Sequence, residues 1–390
     1  MINLSRFLLL LSLFATTSNV LAAQYNIEDY GAIANDELDD TLAIRKAFSA
    51  CEEADGGEVF IPAGIFIVSR QGTESPIIEI PSNTTVSGEG TSSTLKFDPE
   101  VNNTNFWRML GAGPTGCQNV TIRDIHLDGS NTFMSYDKGK TPEQNYGVFF
   151  YNTKATIENV TIHDCLVENF SGDCIAMSKG CRNMTVRDVS LRNFVRQGIQ
   201  MGGDSGSHDY LVTGCQDLEG EVKSAGSTIH VEHADGLKGV QITNNRCSQS
   251  ILAGGVDGII ISNNVIQGRL AGNGNLNAVI TGNFIRGRDD LKRFVVQFGY
   301  SNGLIFKNNI IIGNHEEAGG IYVWGSSRYR PEPSRNVLIA DNLIQVRGDG
   351  IQLNGVDHGS ISNNIISPVG AKTNIVQKRS QNIRLDTVAP

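Results

Sequence analysis

The chain has 390 residues, a formal net charge of −9 at pH 7 and seven cysteines. An acidic balance argues against a nucleic-acid or membrane partner, although a basic groove for an acidic polysaccharide can exist on an acidic protein. The cysteines are few and odd in number and show no metal-ligand spacing. Buried core thiols are therefore the favoured interpretation, with a disulfide left open.

The first residues have the features of a secretory signal peptide. Arg6 precedes a short apolar run that ends at Ala15, and small residues close the segment at Ala22. The run is too short to span a bilayer. The sequence therefore predicts a signal peptide at 1–22, a secreted or periplasmic location, and a single domain over 23–390.

A stretch with helical periodicity follows at residues 38–54. Asp39 or Asp40 is the expected N-cap, and Gly56-Gly57 is the expected stop. We expect this amphipathic helix to cover the open N-terminal end of the repeated structure that follows, because an exposed coil edge invites aggregation.

A short phrase then recurs down the chain: branched residues in alternation, followed by Asp or Asn. Spacings vary, from 19 residues between 245 and 264 to 40 residues between 124 and 164, which predicts a solenoid with loops of different lengths. We expect a closing Asn to hydrogen-bond the Asn in the coils above and below. These closing residues lie at positions 124, 164, 188, 245, 264, 283, 309, 342 and 364, with a further coil expected at 210–215.

A second strand is predicted in each coil, with apolar residues inward and polar or aromatic residues outward. Several short strands per coil, few prolines and 43 glycines indicate an all-β parallel β-helix of about ten coils. A β-propeller would repeat more evenly. The clearest second strands are Gly147–Tyr151, Cys174–Met177, Gly198–Met201, Thr228–Val231, Gly320–Trp324 and Gly350–Asn354.

Four early segments resemble the opening of the pectate-lyase-like superfamily: Tyr25–Gly31, Asp39–Ile44, Gly56–Gly64 and Phe66–Val68. That group of right-handed parallel β-helices includes polygalacturonases, mannuronan C5-epimerases, phage tailspikes and several lyases. The resemblance is diffuse from there to about residue 380. It implies a right-handed parallel β-helix that handles polysaccharide, and the chain looks like a secreted lyase that trims biofilm exopolysaccharide.

The subfamily motifs are incomplete. Ser171-Gly-Asp-Cys174 has one Asp where polygalacturonases carry two, and Arg196-Gln-Gly stands where their Gly-His-Gly would fall. Val231-Glu-His-Ala-Asp235 resembles the Asp-Pro-His-Glu strand of the C5-epimerases but lacks the proline. The resemblance therefore implies a fold and a substrate class without one chemistry.

Strand alternation predicts an outward row of polar and aromatic side chains on the second strands, and we interpret it as a sugar-binding groove. A plain solvated sheet face is the alternative, but exposed aromatic side chains favour a partner. The loop at 128–146 and an arginine-rich loop around Arg328 are expected to form the walls. The residues predicted to bind substrate are Lys179, Gln200, Arg293, Gln297, Trp324 and Arg328.

Cleavage of a uronic acid polymer by β-elimination needs a group that neutralises the C6 carboxylate, a base and an acid. We predict Arg196 as the neutralising group and His230 as the base, because arginine stays charged and histidine titrates near neutrality. The acid is Tyr322 or His233. C5 epimerisation would use the same groups and differs only in returning the proton to the opposite face of C5.

Two further readings stay open. A glycoside hydrolase would use Asp173 and Glu232, two coils apart and thus roughly 9–10 Å from one another along the axis. A non-catalytic carbohydrate-binding β-helix needs no such groups. Calcium could replace the arginine, although no ligand spacing predicts a calcium site. An acidic polysaccharide is the expected partner, and the protein could be a monomer or a homo-oligomer.

Overall fold

The computed structural model describes residues 23–98, 107–131, 133, 135–138, 140–218, 220, 226–326, 331–368 and 374–386. The predicted signal peptide at 1–22 and the predicted substrate-binding residue Arg328 lie outside these ranges. Within them the chain forms a parallel β-helix, as the repeats predict, with three parallel sheets that receive one strand each from successive coils.

The strands of sheet 1 are Gln24–Asn26, Gly57–Ile61, Thr84–Gly88, Cys117–Arg123, Ile157–His163, Cys181–Arg187, His208–Thr213, Lys238–Thr243, Asp257–Ser262, Leu276–Thr281, Asn302–Lys307, Ser334–Ala340, Val356–Ser362 and Gln381–Asp386. The strands of sheet 2 are Gly64–Val68, Ser93–Phe97, His126–Asp128, Leu166–Glu168, Ser190–Arg192, Gln216–Asp217, Arg246–Cys247, Val265–Gln267, Phe284–Arg286, Ile310–Ile312, Leu343–Val346 and Ile365–Pro368. The strands of sheet 3 are Ile78–Glu79, Arg108–Gly111, Tyr146–Phe150, Asp173–Met177, Gln197–Gly203, Ser227–Ala234, Ile251–Gly254, Leu270–Asn273, Val296–Gly299, Ile321–Trp324, Ile351–Asn354 and Ile375–Lys378.

The solenoid has more coils than the roughly ten that the sequence predicts. Sheets 2 and 3 each contain twelve strands among the described residues. The additional coils lie mainly before residue 117 and after residue 370, where the strands are not closed by the Asp or Asn phrase. The coil expected at 210–215 is present, as the strand His208–Thr213.

Branched and other apolar side chains of neighbouring coils stack in register inside sheet 1. Val120 pairs with Val160, which pairs with Met184, and the column continues through Tyr210 and Val240. None of these side chains is more than 1% exposed. Burying one such side chain contributes about 1.5–3 kcal/mol, so each coil is stabilised chiefly by its neighbours. All seven cysteines are buried free thiols, which confirms their interpretation as core residues.

Asparagine side chains form a buried ladder through the upper coils, by which we mean the coils from residue 238 onward. Nδ2 of Asn245 donates a hydrogen bond to Oδ1 of Asn264 at 3.0 Å, and Asn264 donates likewise to Asn283. This confirms the prediction that closing asparagines bond to one another. The same bond repeats up the stack through Asn309, Asn342 and Asn364.

Three lower coils differ at this position. Asp124, Asp164 and Asp188 adopt positive φ angles of 52–53°, and each carboxylate pairs with the basic side chain one position before it. These aspartates do not join the ladder, because this left-handed residue faces solvent and the next residue faces the core. The residues that occupy the ladder position there are Ile125, Cys165 and Val189.

One α-helix, Thr41–Glu53, forms within the predicted range 38–54, and two 3₁₀ turns lie at Ile27–Tyr30 and Gly90–Ser92. The helix begins after Asp40, whose carboxylate accepts hydrogen bonds from the backbone of Ile33 and Ile67 rather than capping the helix. Its role as a cover for the end of the solenoid stays a prediction. No helix in the described ranges has the length and apolar character needed to cross a membrane.

Candidate active-site groove

The outward row of sheet 3 forms as strand alternation predicts at its lower end. Phe149, Ala176, Gln200 and His230 lie side by side on four consecutive strands. Gln200 is buried within this row, and His230 is half-buried. Above His230 the row continues through Leu252, Ala271, Gln297, Tyr322 and Gln352.

Two strands of this row were not recognised in the sequence, Ile251–Gly254 and Leu270–Asn273. Their outward residues are Leu252, Gly254, Ala271 and Asn273, so only Asn273 carries the polar pattern that marked the others. As a result His230 and Tyr322 are four strand spacings apart, roughly 19 Å along the axis. The prediction that Tyr322 could act as the acid beside His230 is therefore wrong.

A groove of about 570 Å³ lies over these strands. His230, Glu232 and His233 line its lower part, while Gln297 and Trp324 line its upper part. The small side chains of the two unrecognised strands leave room between these ends. The Nε2 atom of Gln297 donates a hydrogen bond to the carbonyl of Phe294 at 2.8 Å, which fixes the orientation of its amide.

A charged cluster closes the lower edge of the groove around the guanidinium of Arg196. Its Nη2 donates to Glu232 Oε1 at 3.0 Å, and its Nη1 lies 3.6 Å from Asp173 Oδ2. Its Nε lies 3.8 Å from Glu143 Oε2, and Nη1 also donates to the hydroxyl of Tyr146 at 3.2 Å. Three carboxylates of the protein thus surround one cation.

Burial and pairing have opposite effects on the pKa values in this cluster. Burial alone would lower the pKa of Arg196, but the carboxylates, Asp173 first, raise it above its ordinary value. Burial raises the pKa of Asp173 to about 7, although Arg196 acts in the opposite direction. Because the Arg196 charge is compensated within the protein, we do not favour it as the group that neutralises a substrate carboxylate.

His230 has the environment of a base. Its side chain is 24% exposed, and Nδ1 lies 3.7 Å from Glu232 Oε2. Burial lowers the pKa of His230, and the nearby Arg196 and His233 lower it further, against the opposing effect of Glu232. The imidazole is therefore neutral at neutral pH and can accept a proton from a ligand in the groove.

The geometry does not favour the pair Asp173 and Glu232 as hydrolase carboxylates. The guanidinium of Arg196 lies between them, and Asp173 is only 1% exposed. Neither carboxylate oxygen of Asp173 has a hydrogen-bond partner among the described residues. A glycosidic bond in the groove would reach Glu232 but not Asp173.

Sequence reasoning missed several members of this cluster. Tyr146 begins its strand, where alternation predicts an inward side chain, and burial raises the pKa of its hydroxyl. Glu143 comes from the preceding loop and also accepts a hydrogen bond from Tyr136 at 2.8 Å. Gln197 donates to Glu232 Oε1 at 3.1 Å. Its position next to Arg196 was the one available signal.

Aromatic side chains lie at both ends of the outward row of sheet 3. At the lower end the rings of Phe149 and Tyr151 stack with centroids 5.7 Å apart, and the Arg108 guanidinium lies 4.0 Å from the Phe149 centroid. At the upper end the rings of Tyr322 and Trp324 stack with centroids 5.4 Å apart. Such faces can stack on sugar rings or other apolar surfaces.

Of the remaining predicted residues, Lys179 is half-buried in the turn after the strand Asp173–Met177, and Arg293 is exposed beside the upper groove. Within the described ranges, no group of three or more His, Cys, Asp or Glu side chains could hold a metal ion. Calcium dependence therefore stays an open alternative, and the substrate-binding roles stay predictions.

Comparison with known proteins identifies the fold type. A family model described as "Rhamnogalacturonase A/epimerase, pectate lyase-like" matches residues 24–109. The A-module of mannuronan C-5 epimerase AlgE6 from Azotobacter vinelandii superposes with a TM-score of 0.65, at 16% identity, over 94% of this chain and all of that chain. The chain is a right-handed parallel β-helix, and its N-terminal part matches a pectate-lyase-like family model. The resemblance seen in the sequence is thereby confirmed.

Other matches have different activities in their names. The exopolygalacturonase of Thermotoga maritima superposes with a TM-score of 0.54 at 16% identity, over 91% of this chain and 92% of that chain. Mannuronan C5-epimerase AlgE1 of A. vinelandii is 30% identical over 188 residues, and alginate lyase 7 of the same organism is 28% identical over 188 residues. These matches cover 46% and 45% of this chain, but only 13% and 20% of the two relatives.

Proposed function

We propose that this pectate-lyase-like protein is a polysaccharide lyase that cleaves a uronate-containing polysaccharide by β-elimination. The observation that carries the proposal is the half-buried imidazole of His230, with its lowered pKa, at the floor of an open groove. Two relatives support the substrate class, since one is named for mannuronan and another for alginate. We also propose that the protein is exported, on the basis of its N-terminal sequence.

The chemistry follows from the two histidines of one strand. Neutral His230 accepts the C5 proton of the uronate, and the electron pair of the C5–H bond forms the C4–C5 double bond. The C4–O4 bond breaks, and His233 donates a proton to the departing O4. His233 is exposed and lines the same groove, three positions after His230. Positioned acids and bases of this kind contribute about 10²–10⁴-fold each.

C5 epimerisation is the second candidate, and the epimerase relatives favour it. It begins with the same proton transfer to His230. The C4–O4 bond then stays intact, and a proton returns to the opposite face of C5. The two reactions leave different products from the same polymer, so one assay with two readouts separates them.

The test is incubation of the purified protein with alginate, polymannuronate and polygalacturonate, with and without calcium. We expect ultraviolet absorbance from an unsaturated uronide, and at least a 100-fold slower rise for His230→Gln. His358→Gln is the matched control, because that side chain is 64% exposed on sheet 1 and away from the groove. Since His230 must be neutral to accept the proton and its pKa is lowered, the acidic side of the rate profile should fall only below pH 6.5, the ordinary pKa of histidine.

Other outcomes would change the assignment. Deuterium incorporation at C5 in heavy water, without absorbance, would establish an epimerase. New reducing ends without absorbance would establish a hydrolase and contradict the proposal. Equal activity in His230→Gln and the parent would move the base to another residue. No product from any of the polymers would contradict action on these uronates.

A further inference from the structure

A second cavity, of about 350 Å³, adjoins the upper groove and is lined by several basic side chains. Arg269, Arg288, Lys292 and Arg293 line it, together with a single carboxylate, Asp290. Arg269 also lines the main groove, so the two spaces meet at this side chain. A ligand in the groove can therefore reach the cations of the cavity.

The charges in this cavity do not balance. Arg288 binds both carboxylate oxygens of Asp290, at 3.0 and 2.6 Å, which uses the one acid present. Among the described residues, no carboxylate lies within 4.0 Å of the guanidinium of Arg269 or of Arg293. Within the described part of the chain, these two arginines thus face a shared space without a counter-ion.

This arrangement has a cost in the free protein. Burial lowers the pKa of Arg269, and the neighbouring charge of Arg293 lowers it further. In the lower groove the opposite holds, because Arg196 is held between three carboxylates. Like charges that are partly desolvated destabilise the protein unless an anion binds between them.

The backbone fixes Arg269 at the edge of the groove. Its amide donates to Ser250 Oγ at 3.0 Å, and its carbonyl accepts from the amide of Ile251 at 3.0 Å. Arg269 immediately precedes the strand Leu270–Asn273, which lies two strands above that of His230, about 10 Å along the axis. A chain that passes over His230 therefore passes Arg269 as well.

We propose that Arg269 and Arg293 together bind a carboxylate of the acidic polysaccharide in the upper groove. This inference rests on the proposed function. A guanidinium matches a carboxylate by paired hydrogen bonds, and two guanidinia can hold both of its oxygens. The site supplies the substrate counter-charge that Arg196, already compensated, does not offer.

The experiment measures binding in a His230→Gln background, so that the ligand is not consumed. Calorimetry with oligomannuronate and oligogalacturonate of defined length compares this parent with Arg269→Gln, Arg293→Gln and the double variant. We expect about tenfold weaker binding for each single variant, since charge-assisted hydrogen bonds are worth about 1.5–3 kcal/mol. The double variant should bind about 100-fold more weakly and lose most of the salt dependence of binding.

Arg286→Gln is the matched control. Arg286 is exposed on sheet 2 and lines neither cavity, and its substitution removes the same charge as that of Arg269 or Arg293. Its affinity should stay within twofold of the parent. Thermal unfolding gives a second readout: the double variant should be as stable as the parent or more stable, because it loses a repulsion.

Unchanged affinity in the double variant would overturn the inference, as would an equal loss of affinity in the Arg286 control. A marked loss of thermal stability would also overturn it, since the pair would then be structural. Failure of the proposed function is separate and is read from the wild-type protein alone. If the wild type acts on a uronate polymer while the arginine variants bind it normally, only the carboxylate site is refuted.

Discussion

The lower and upper halves of the groove use charge in opposite ways. In the lower half, up to Glu232, the guanidinium of Arg196 is surrounded by three carboxylates, and one of these, that of Asp173, is buried. In the upper half, from Leu252 to Trp324, two arginines have no acidic partner among the described residues, and aromatic faces are accessible. A self-compensated cluster can hold reacting groups rigidly, whereas an uncompensated one is suited to hold an anionic ligand.

Removing the central cation should have the largest effect on folding. Arg196→Gln leaves the partly buried carboxylates without their shared partner, so we expect the free energy of unfolding to fall by about 3 kcal/mol, the low end for a broken buried pair. The measurement is chemical denaturation at pH 7. Arg187→Gln is the control, because its 40% exposed ion pair with Asp188 should contribute less than about 1 kcal/mol. Similar losses of unfolding free energy in both variants would mean that the Arg196 cluster stabilises the fold no more than an exposed ion pair does.

The buried carboxyl should make stability depend on pH. The folded-state pKa of Asp173 is raised from 3.8 to about 7, so the stabilisation is present below pH 3.8 and is lost as the pH rises through 7. The interval corresponds to at most about 4 kcal/mol. Relative to Asp173→Asn, wild-type stability should therefore fall between pH 4 and pH 8. Parallel pH profiles for the two proteins would show that Asp173 is not protonated in the folded state.

The smallest expected effect concerns the aromatic face of the upper half. Trp324→Ala should raise KM about fivefold and leave kcat unchanged, because a stacking contact is worth roughly 0.5–1.5 kcal/mol and lies far from the reacting atoms. Steady-state kinetics on the best uronate polymer would measure this. Phe284→Ala, which removes an exposed ring from sheet 2, should change neither constant. A fall in kcat alone would place Trp324 near the chemistry.

The fold was predictable because its stabilising contacts repeat. The alternation of branched residues and the closing asparagines recur at every upper coil, so each short segment of sequence predicts one coil of the stack. Coils without that phrase were missed, which shortened the count. The second strands of two counted coils were missed for a different reason: the outward residues Leu252 and Ala271 have no polarity and so give no sign that they face outward.

The site was predictable only in part. His230 and Glu232 were recognised from alternation within one strand, because they lie only two positions apart in the sequence. The partners of Arg196 could not be recognised in this way, because Tyr146 lies 50 residues and Glu232 lies 36 residues from it in the sequence. Loop lengths decide which of these side chains meet, and loop lengths do not repeat. Charge compensation therefore became visible only in three dimensions.

The asparagine ladder has a direction that bears on how the upper coils assemble. Each bond between two ladder side chains runs from Nδ2 of one Asn to Oδ1 of the Asn in the next coil toward the C terminus, from the donor Asn245 to the last acceptor Asn364, so each coil presents an oriented acceptor to the one before it. A strand that docks one residue out of place would bury an unpaired amide, at about 1–3 kcal/mol per coil. The buried ladder therefore penalises misaligned docking of the upper coils. The lower coils have Ile125, Cys165 or Val189 at this position, and their stacked asparagines, Asn83, Asn119, Asn159 and Asn183, bond to one another at an exposed corner, where a lost bond can be replaced by water.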